Sequence, residues 1–241
     1  MLFSTLSPKR NLNGTRVFLR VDWNVPLGAG YPSETSLKIS RSIETIKALV
    51  TRGAIVIVAT HLGRPKGHER ALSTRQFVSR LAKAYRVPFQ FLGDALDTVD
   101  GVEHASLTLH TAHAGDVYLL ENVRFYAGEK QHDPKLSRAF ASLASIFVND
   151  AFADCHRNHA SIVGITKMLP SYAGPTLLAE VEALSRLITK PKKPFVVIIG
   201  GVKISTKLDA FEALLKVADR VFIGGALATA FFSAKKFEIC K

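Results

Sequence analysis

Cysteine is scarce in this chain: only Cys155 and Cys240 occur in 241 residues, far apart and in no CxxC pair. That excludes a disulfide framework and suits a reducing, cytoplasmic compartment. The eight histidines form no HExxH or Cys/His ligand spacing, so no residue is assigned to a metal. Long apolar runs are missing as well. Met1 to Asn13 places polar residues and Pro8 where a secretory signal needs an apolar core, and no run approaches a membrane span, so no membrane partner is expected. Neither GxxxxGK[ST] nor GxGxxG occurs, which removes the Walker and dinucleotide fingerprints. Acidic residues are in deficit, 20 against 32 Lys and Arg, for a net charge of +12. Such an excess admits nucleic acid, an anionic surface or small phosphorylated ligands. The longest basic clusters, Lys190-Pro191-Lys192-Lys193 and Lys235-Lys236, are short and lack the interleaved aromatics of a single-strand groove, so nucleic acid is not expected as a partner.

What is present is a repeated pattern. Five short apolar runs break off into charged, histidine or glycine residues: Val17 to Val21 into Asp22-Trp23-Asn24, Ile55 to Thr60 into His61-Leu62-Gly63-Arg64-Pro65, Val117 to Leu120 into Glu121-Asn122-Val123-Arg124, Ile146 to Val148 into Asn149-Asp150, and Phe195 to Ile199 into Gly200-Gly201-Val202-Lys203. Continuous Val/Ile/Leu/Phe runs separated by helical stretches are the signature of parallel strands buried on both faces. Strands are predicted near 16–21, 55–60, 88–92, 117–120, 146–149, 195–199 and 220–224. Amphipathic helices are predicted over Ser40 to Arg52, Thr74 to Arg86, Thr176 to Ile188 and Ser205 to Ala218. The fold class is therefore α/β, a doubly wound parallel sheet of the Rossmann-like three-layer kind, with the incomplete start of a second similar domain. The expected division is 1–172, a hinge helix over 173–190 bounded by Pro175 and Pro191, and 191–241.

In open α/β sheets the ligand lies beyond the carboxyl ends of the strands, and here those ends carry Arg, Lys and His, so the expected ligand is an anion. Each cluster also has a plainer reading. Asp22 and Asn24, two apart at a strand end, point the same way and can orient hydroxyl groups; they also serve to turn the chain before Pro26. Arg64 follows Gly63, which lets backbone approach a ligand, yet Pro65 makes the same segment an ordinary surface turn. Arg124 and Arg157 repeat the choice between ligand and solvent; three arginines at successive strand ends favour the ligand. Cys155 and His156 are neighbours in an irregular loop, where reactive pairs are normally distant in sequence, so no thiol nucleophile is assigned. Gly200-Gly201-Val202-Lys203-Ile204-Ser205-Thr206-Lys207 leaves a strand and opens a helix, which suits phosphate, or a tight turn with exposed lysines.

Together the stretches RVDWNVP (20–26), HLGRP (61–65), ENVRFY (121–126), FVNDAFADCHRNHAS (147–161), GGVKISTK (200–207) and IGG (223–225) resemble the phosphoglycerate kinase family in order and spacing. The resemblance implies a monomeric, cytoplasmic, two-domain glycolytic kinase that moves a phosphoryl group between 1,3-bisphosphoglycerate and ADP, giving 3-phosphoglycerate and ATP, with Mg2+ carried by the nucleotide. It implies that Asp22, Trp23, Asn24, Lys38, His61, Leu62, Gly63, Arg64, Arg124 and Arg157 bind phosphoglycerate. Gly200, Gly201, Lys203, Lys207, Gly224 and Gly225 would face the nucleotide, with Lys38 and Lys207 catalytic. Three departures stand out. The family's catalytic arginine aligns with Lys38, with Arg41 one turn later, so Lys38→Arg is expected to raise turnover in a complete enzyme. Ala226 replaces a third glycine after Gly224-Gly225. The chain also stops at Lys241, before the family's adenine wall and magnesium loop, which makes a fragment of low activity the expectation, and a non-catalytic phosphoglycerate-binding or partner-docking module the alternative.

Overall fold

The computed structural model describes residues 4–26, 36–201 and 208–237. The chain divides into two compact units, Met1–Ala179 and Glu180–Lys241. The division falls inside one helix, Pro175–Thr189, so the stretch expected as a hinge is shared between them.

In the first unit, β1 (Arg16–Arg20), β2 (Ile55–Ala59), β3 (Phe89–Leu92), β4 (Val117–Leu120), β5 (Ile146–Asn149) and β6 (Ser171–Ala173) form one sheet. Their order is β3-β4-β2-β1-β5-β6, and every pairing is parallel. Helices cover both faces: α1 (Leu37–Thr51), α2 (Arg75–Tyr85), α3 (Val99–His110), α4 (Gly128–Gln131) and α5 (Pro134–Ser142). Alternation along each strand divides the apolar residues between two cores. Val17 and Leu19 of β1, with Val21 just after it, join Val56 and Val58 of β2 with Ile39, Ile43, Ile46 and Phe77 from α1 and α2. Phe18 joins Ile55, Ile57 and Ala59 with Leu109 of α3 and Leu136 and Phe140 of α5. The central strands are buried on both faces, which is why their sequences read as unbroken apolar runs.

The predicted strands over 16–149 are all present, within a residue or two at their ends. The helix predicted from Ser40 begins three residues earlier, at Leu37, which brings Lys38 into its first turn. Four elements of this unit lie outside the predicted set: α3, α4, α5 and the edge strand β6.

In the second unit, β7 (Val196–Gly200) and β8 (Arg220–Gly224) pair in parallel, with α7 (Leu208–Leu215) and α8 (Ala226–Ala234) beside them. The predicted helix Ser205 to Ala218 is seen from Leu208 to Leu215; its first three residues lie outside the described residues. The helix shared by the units, Pro175–Thr189, is α6.

Candidate functional site

The carboxyl ends of β1, β2, β4 and β5 lie side by side, so the loops that follow them meet at one rim. After β1, Asp22 Oδ2 accepts a hydrogen bond from Lys38 Nζ at 2.7 Å, and Asp22 Oδ1 accepts from the Asn24 N–H at 3.1 Å. Asn24 Oδ1 accepts from the Gly63 N–H at 2.9 Å, which ties the β1 loop to the β2 loop. Gly63 has φ +62, and a Cβ there would meet Leu72 at 2.9 Å, so this turn requires glycine for both conformation and space. Asn122 locks the same loop from the β4 side: its Nδ2 donates to Leu62 O and Leu72 O, while its Oδ1 accepts from the Leu62 and Arg124 N–H groups. Arg124 Nη1 then donates to Gly63 O at 2.6 Å.

Behind the rim is a buried ionic network. Asp154 accepts from Arg20 Nη2 at 3.0 Å, lies 3.1 Å from His61 Nδ1, and pairs with Arg157 Nε at 2.9 Å. Burial works against ionisation of this carboxyl, but the His61 hydrogen bond and the Arg20 charge, with Arg157, outweigh it and hold it well below the usual range. Arg20 is fully spent: Nη1 donates to Val21 O and Nε to Ser161 Oγ at 3.1 Å. Ser161 in turn gives its Oγ–H and N–H to the buried carboxylate of Glu129, at 2.6 and 3.0 Å. Burial lowers the pKa of His61 more than Asp154 raises it, so the imidazole is neutral, and its Nε2 is buried without a partner. Arg124 is lowered by burial and then by Arg157, and its Nε is also unpartnered.

The residues expected at the rim separate into two kinds. Asp22, Asn24, Lys38, His61, Gly63, Arg64, Arg124 and Arg157 come from five different segments to one place. Trp23 and Leu62 are in the right segments but their side chains belong to the core: the Trp23 indole packs edge-on against Phe77 and Phe89, and its Nε1 donates to Ser42 Oγ. Only their backbones border the rim. Arg64 is exposed and has no carboxylate partner among the described residues. Sequence inspection had given no role to Arg20, Asn122, Glu129, Asp154 or Ser161; their partners are up to 141 positions away, a separation that no local pattern encodes.

Five cationic side chains, Arg20, Lys38, Arg64, Arg124 and Arg157, surround two carboxylates, Asp22 and Asp154. Oxygen and nitrogen atoms of Asp22, His61 and Asp154 approach within 4.8 Å of one another, yet the surrounding positive excess opposes a cation there and favours an anion. The unpartnered Nε of Arg124 and the exposed Arg64 guanidinium are donors of the kind a phosphate needs, while His61 Nε2, with the ring proton on Nδ1 toward Asp154, is an acceptor for a ligand hydroxyl.

The sequence profile of phosphoglycerate kinases matches residues 8–241. The chain belongs to the phosphoglycerate kinase family. It is 39% identical to a phosphoglycerate kinase of Rhizorhabdus wittichii over 100% of its length, and 40% identical to that of Thermus thermophilus over 98%. Solved phosphoglycerate kinases superpose on 99% of the chain, with TM-scores of 0.80 for the Coxiella burnetii enzyme (35% identity) and 0.82 for that of Pyrococcus horikoshii (28% identity). The chain spans about 59% of the length of these relatives.

In the second unit, Gly200 and Gly224 are direct partners at the ends of the paired strands β7 and β8. Gly201 has φ +140, and Gly225, at φ +63, precedes the first turn of α8. The glycines thus put two turns of bare backbone beside a helix N-terminus, a phosphate-compatible arrangement. Lys203 and Lys207 lie outside the described residues.

Proposed function

We propose that the first unit is the phosphoglycerate half-site of a kinase that moves a phosphoryl group between 1,3-bisphosphoglycerate and ADP. The observation that carries this reading is the buried, unpartnered Nε of Arg124, whose guanidinium donates to Gly63 O next to Arg64, at the rim where Asp22 and Asn24 supply carboxylate and amide groups. A three-carbon acid with a phosphate at one end fits that division: the arginines receive the phosphate, while His61, Asp22 and Asn24 orient the hydroxyl and Lys38 meets the carboxylate or the acyl phosphate.

Transfer of a phosphoryl group needs little covalent help from protein, because positioning and stabilisation of charge on its oxygens supply most of the catalysis. Lys38 supplies one compact charge for that purpose, with Asp22 holding it ready. On the nucleotide side the proposal assigns Gly200, Gly201, Gly224 and Gly225 to backbone contact and Lys203 and Lys207 to the phosphates. Magnesium is proposed to arrive held by the nucleotide's own phosphates, where it neutralises their charge. The stretch 173–190 is proposed as the hinge between a phosphoglycerate domain (1–172) and a nucleotide domain (191–241). A cytoplasmic, monomeric protein is part of the same reading. Since the 241 residues span 59% of the relatives' length, the activity proposed for them alone is phosphoglycerate binding with little turnover.

Calorimetric titration with 3-phosphoglycerate, glycerate and inorganic phosphate tests this assignment. Saturable binding of 3-phosphoglycerate, tighter than either part by about tenfold or more, is expected, since each part forfeits several charge-assisted hydrogen bonds. Equal affinity for inorganic phosphate would reduce the site to an unspecific anion cradle.

A further inference from the structure

Asp150, the residue that follows β5, has a buried carboxylate with four donors aimed at it. Thr45 Oγ1 of α1 donates at 2.7 Å, Thr176 Oγ1 at 2.9 Å, and the N–H groups of Thr176 and Leu177 at 2.7 and 3.3 Å. The last three belong to the first turn of α6, whose own preceding residue, Gly174, has no side chain to cap it. Gly174 has to be glycine: an added Cβ would stand 2.3 Å from Asp150 Oδ1. The cap of α6 is therefore supplied from the segment just after β5, far earlier in sequence, and the same carboxylate holds α1.

Lys38 and Thr45 are seven residues apart on α1, two turns along nearly the same face. Between them, Ser42 Oγ donates to Lys38 O at 2.8 Å and accepts from the Trp23 indole. The Asp150 N–H meanwhile donates to Arg20 O at 2.8 Å, at the root of the rim. Thus α1 is pinned at Ser42 by the β1 loop and at Thr45 by the carboxylate that also fixes the start of α6.

We infer that Asp150 is a positioning residue that couples the first turn of α6 to α1, and through α1 to the placement of Lys38 over the cradle. The inference rests on the reading of Lys38 as a ligand-facing cation. A carboxylate shared by two helices cannot optimise its bonds to one independently of the other, so displacement of α6 is felt at Thr45, and reciprocally. A mere helix cap would affect stability and leave Lys38 where it is.

Thr45→Val removes the α1 bond and keeps the shape and every α6 contact of Asp150. Two readouts follow. In calorimetry the affinity for 3-phosphoglycerate is expected to fall roughly three- to tenfold in the otherwise native chain, with no further fall in a Lys38→Ala background, as coupled neighbours behave. In hydrogen exchange of the unliganded chain, the Thr176 and Leu177 amides, which do not touch residue 45, are expected to exchange faster. Equal affinity losses in both backgrounds, or unchanged exchange at both amides, would overturn the inference. Should the native chain fail to bind 3-phosphoglycerate, the proposed function falls and the amides alone decide the coupling. If Thr45→Val does not fold, Thr176→Val cuts the same link from the α6 side, and the same affinity pattern in the two Lys38 backgrounds is expected.

Discussion

At the scale of single residues, the site is governed by the expense of burying charge. Arg20, Asp154 and Glu129 are withdrawn from water and each is almost fully supplied with partners, whereas His61 Nε2 and Arg124 Nε are buried and left open toward the rim. Unfilled polar groups, one acceptor and one donor, in an otherwise satisfied network mark where a ligand completes it. The same network predicts how stability responds to acid. His61 is lowered from 6.5 by burial, so the unfolded chain takes up the proton first; its contribution is complete above pH 6.5 and declines as the pH falls through that value. Asp154, held below its usual value of 3.8 despite burial, contributes above that value and is lost below it. Denaturant unfolding between pH 8 and pH 3 should therefore show two declines, and His61→Gln should remove the upper one. A variant that keeps the upper decline would place its origin in another histidine. Of these residues the sequence exposed the rim and hid the network. A strand end followed by Asp-x-Asn or His-Leu-Gly-Arg is visible locally, but that Asp154 serves Arg20, 134 positions away, is a product of the fold.

Among the elements, legibility followed burial. The central strands β1 and β2 are covered on both faces, so their sequences admit almost nothing but Val, Ile, Leu, Phe and Ala, and they announced themselves. The strand β6 is three residues long, partly exposed and at the sheet edge, with a serine and a tyrosine; no period survives in so short a piece. Helix α3 was obscured by its own capping chemistry and polar content: Thr98 caps it, Gly101 sits in its first turn, and exposed Val99 and Leu107 break the apolar stripe. Helix α1 was legible but began earlier than its apolar period indicates, since the first turn carries Lys38 rather than core residues. The second unit differs in kind. Its sheet has two described strands, and Ile198 of β7 and Phe222 of β8 are 79% and 55% exposed. A two-stranded sheet with one face against a helix and the other open buries few apolar groups over its backbone hydrogen bonds. Backbone amides of β7 and β8 are accordingly expected to exchange at least about tenfold faster than those of β1 and β2; comparable protection would show that these strands are covered in solution.

For the whole molecule, the excess of positive charge and the parallel sheet serve one arrangement. A doubly wound sheet gathers its strand ends at one edge, and the cations placed there come from loops far apart in sequence, so a basic composition becomes a local field that favours an anion. Membership of the phosphoglycerate kinase family accounts for the order of the motifs along residues 8–241, and the geometry accounts for why those motifs must meet. On the proposed reading, the compact charge of Lys38 and the shared carboxylate of Asp150 are the features by which this chain would tune that site. The central claim is that the first unit holds 3-phosphoglycerate by a phosphate cradle at the strand ends. Its most direct test is calorimetric titration of the 241-residue chain with 3-phosphoglycerate beside the Arg64→Ala variant, which removes an exposed cation and no structural partner among the described residues. The account predicts saturable one-to-one binding that weakens by about ten- to a hundredfold in the variant, the scale of a lost charge-assisted contact. Equal binding by both folded proteins, or none by the native chain, would contradict it.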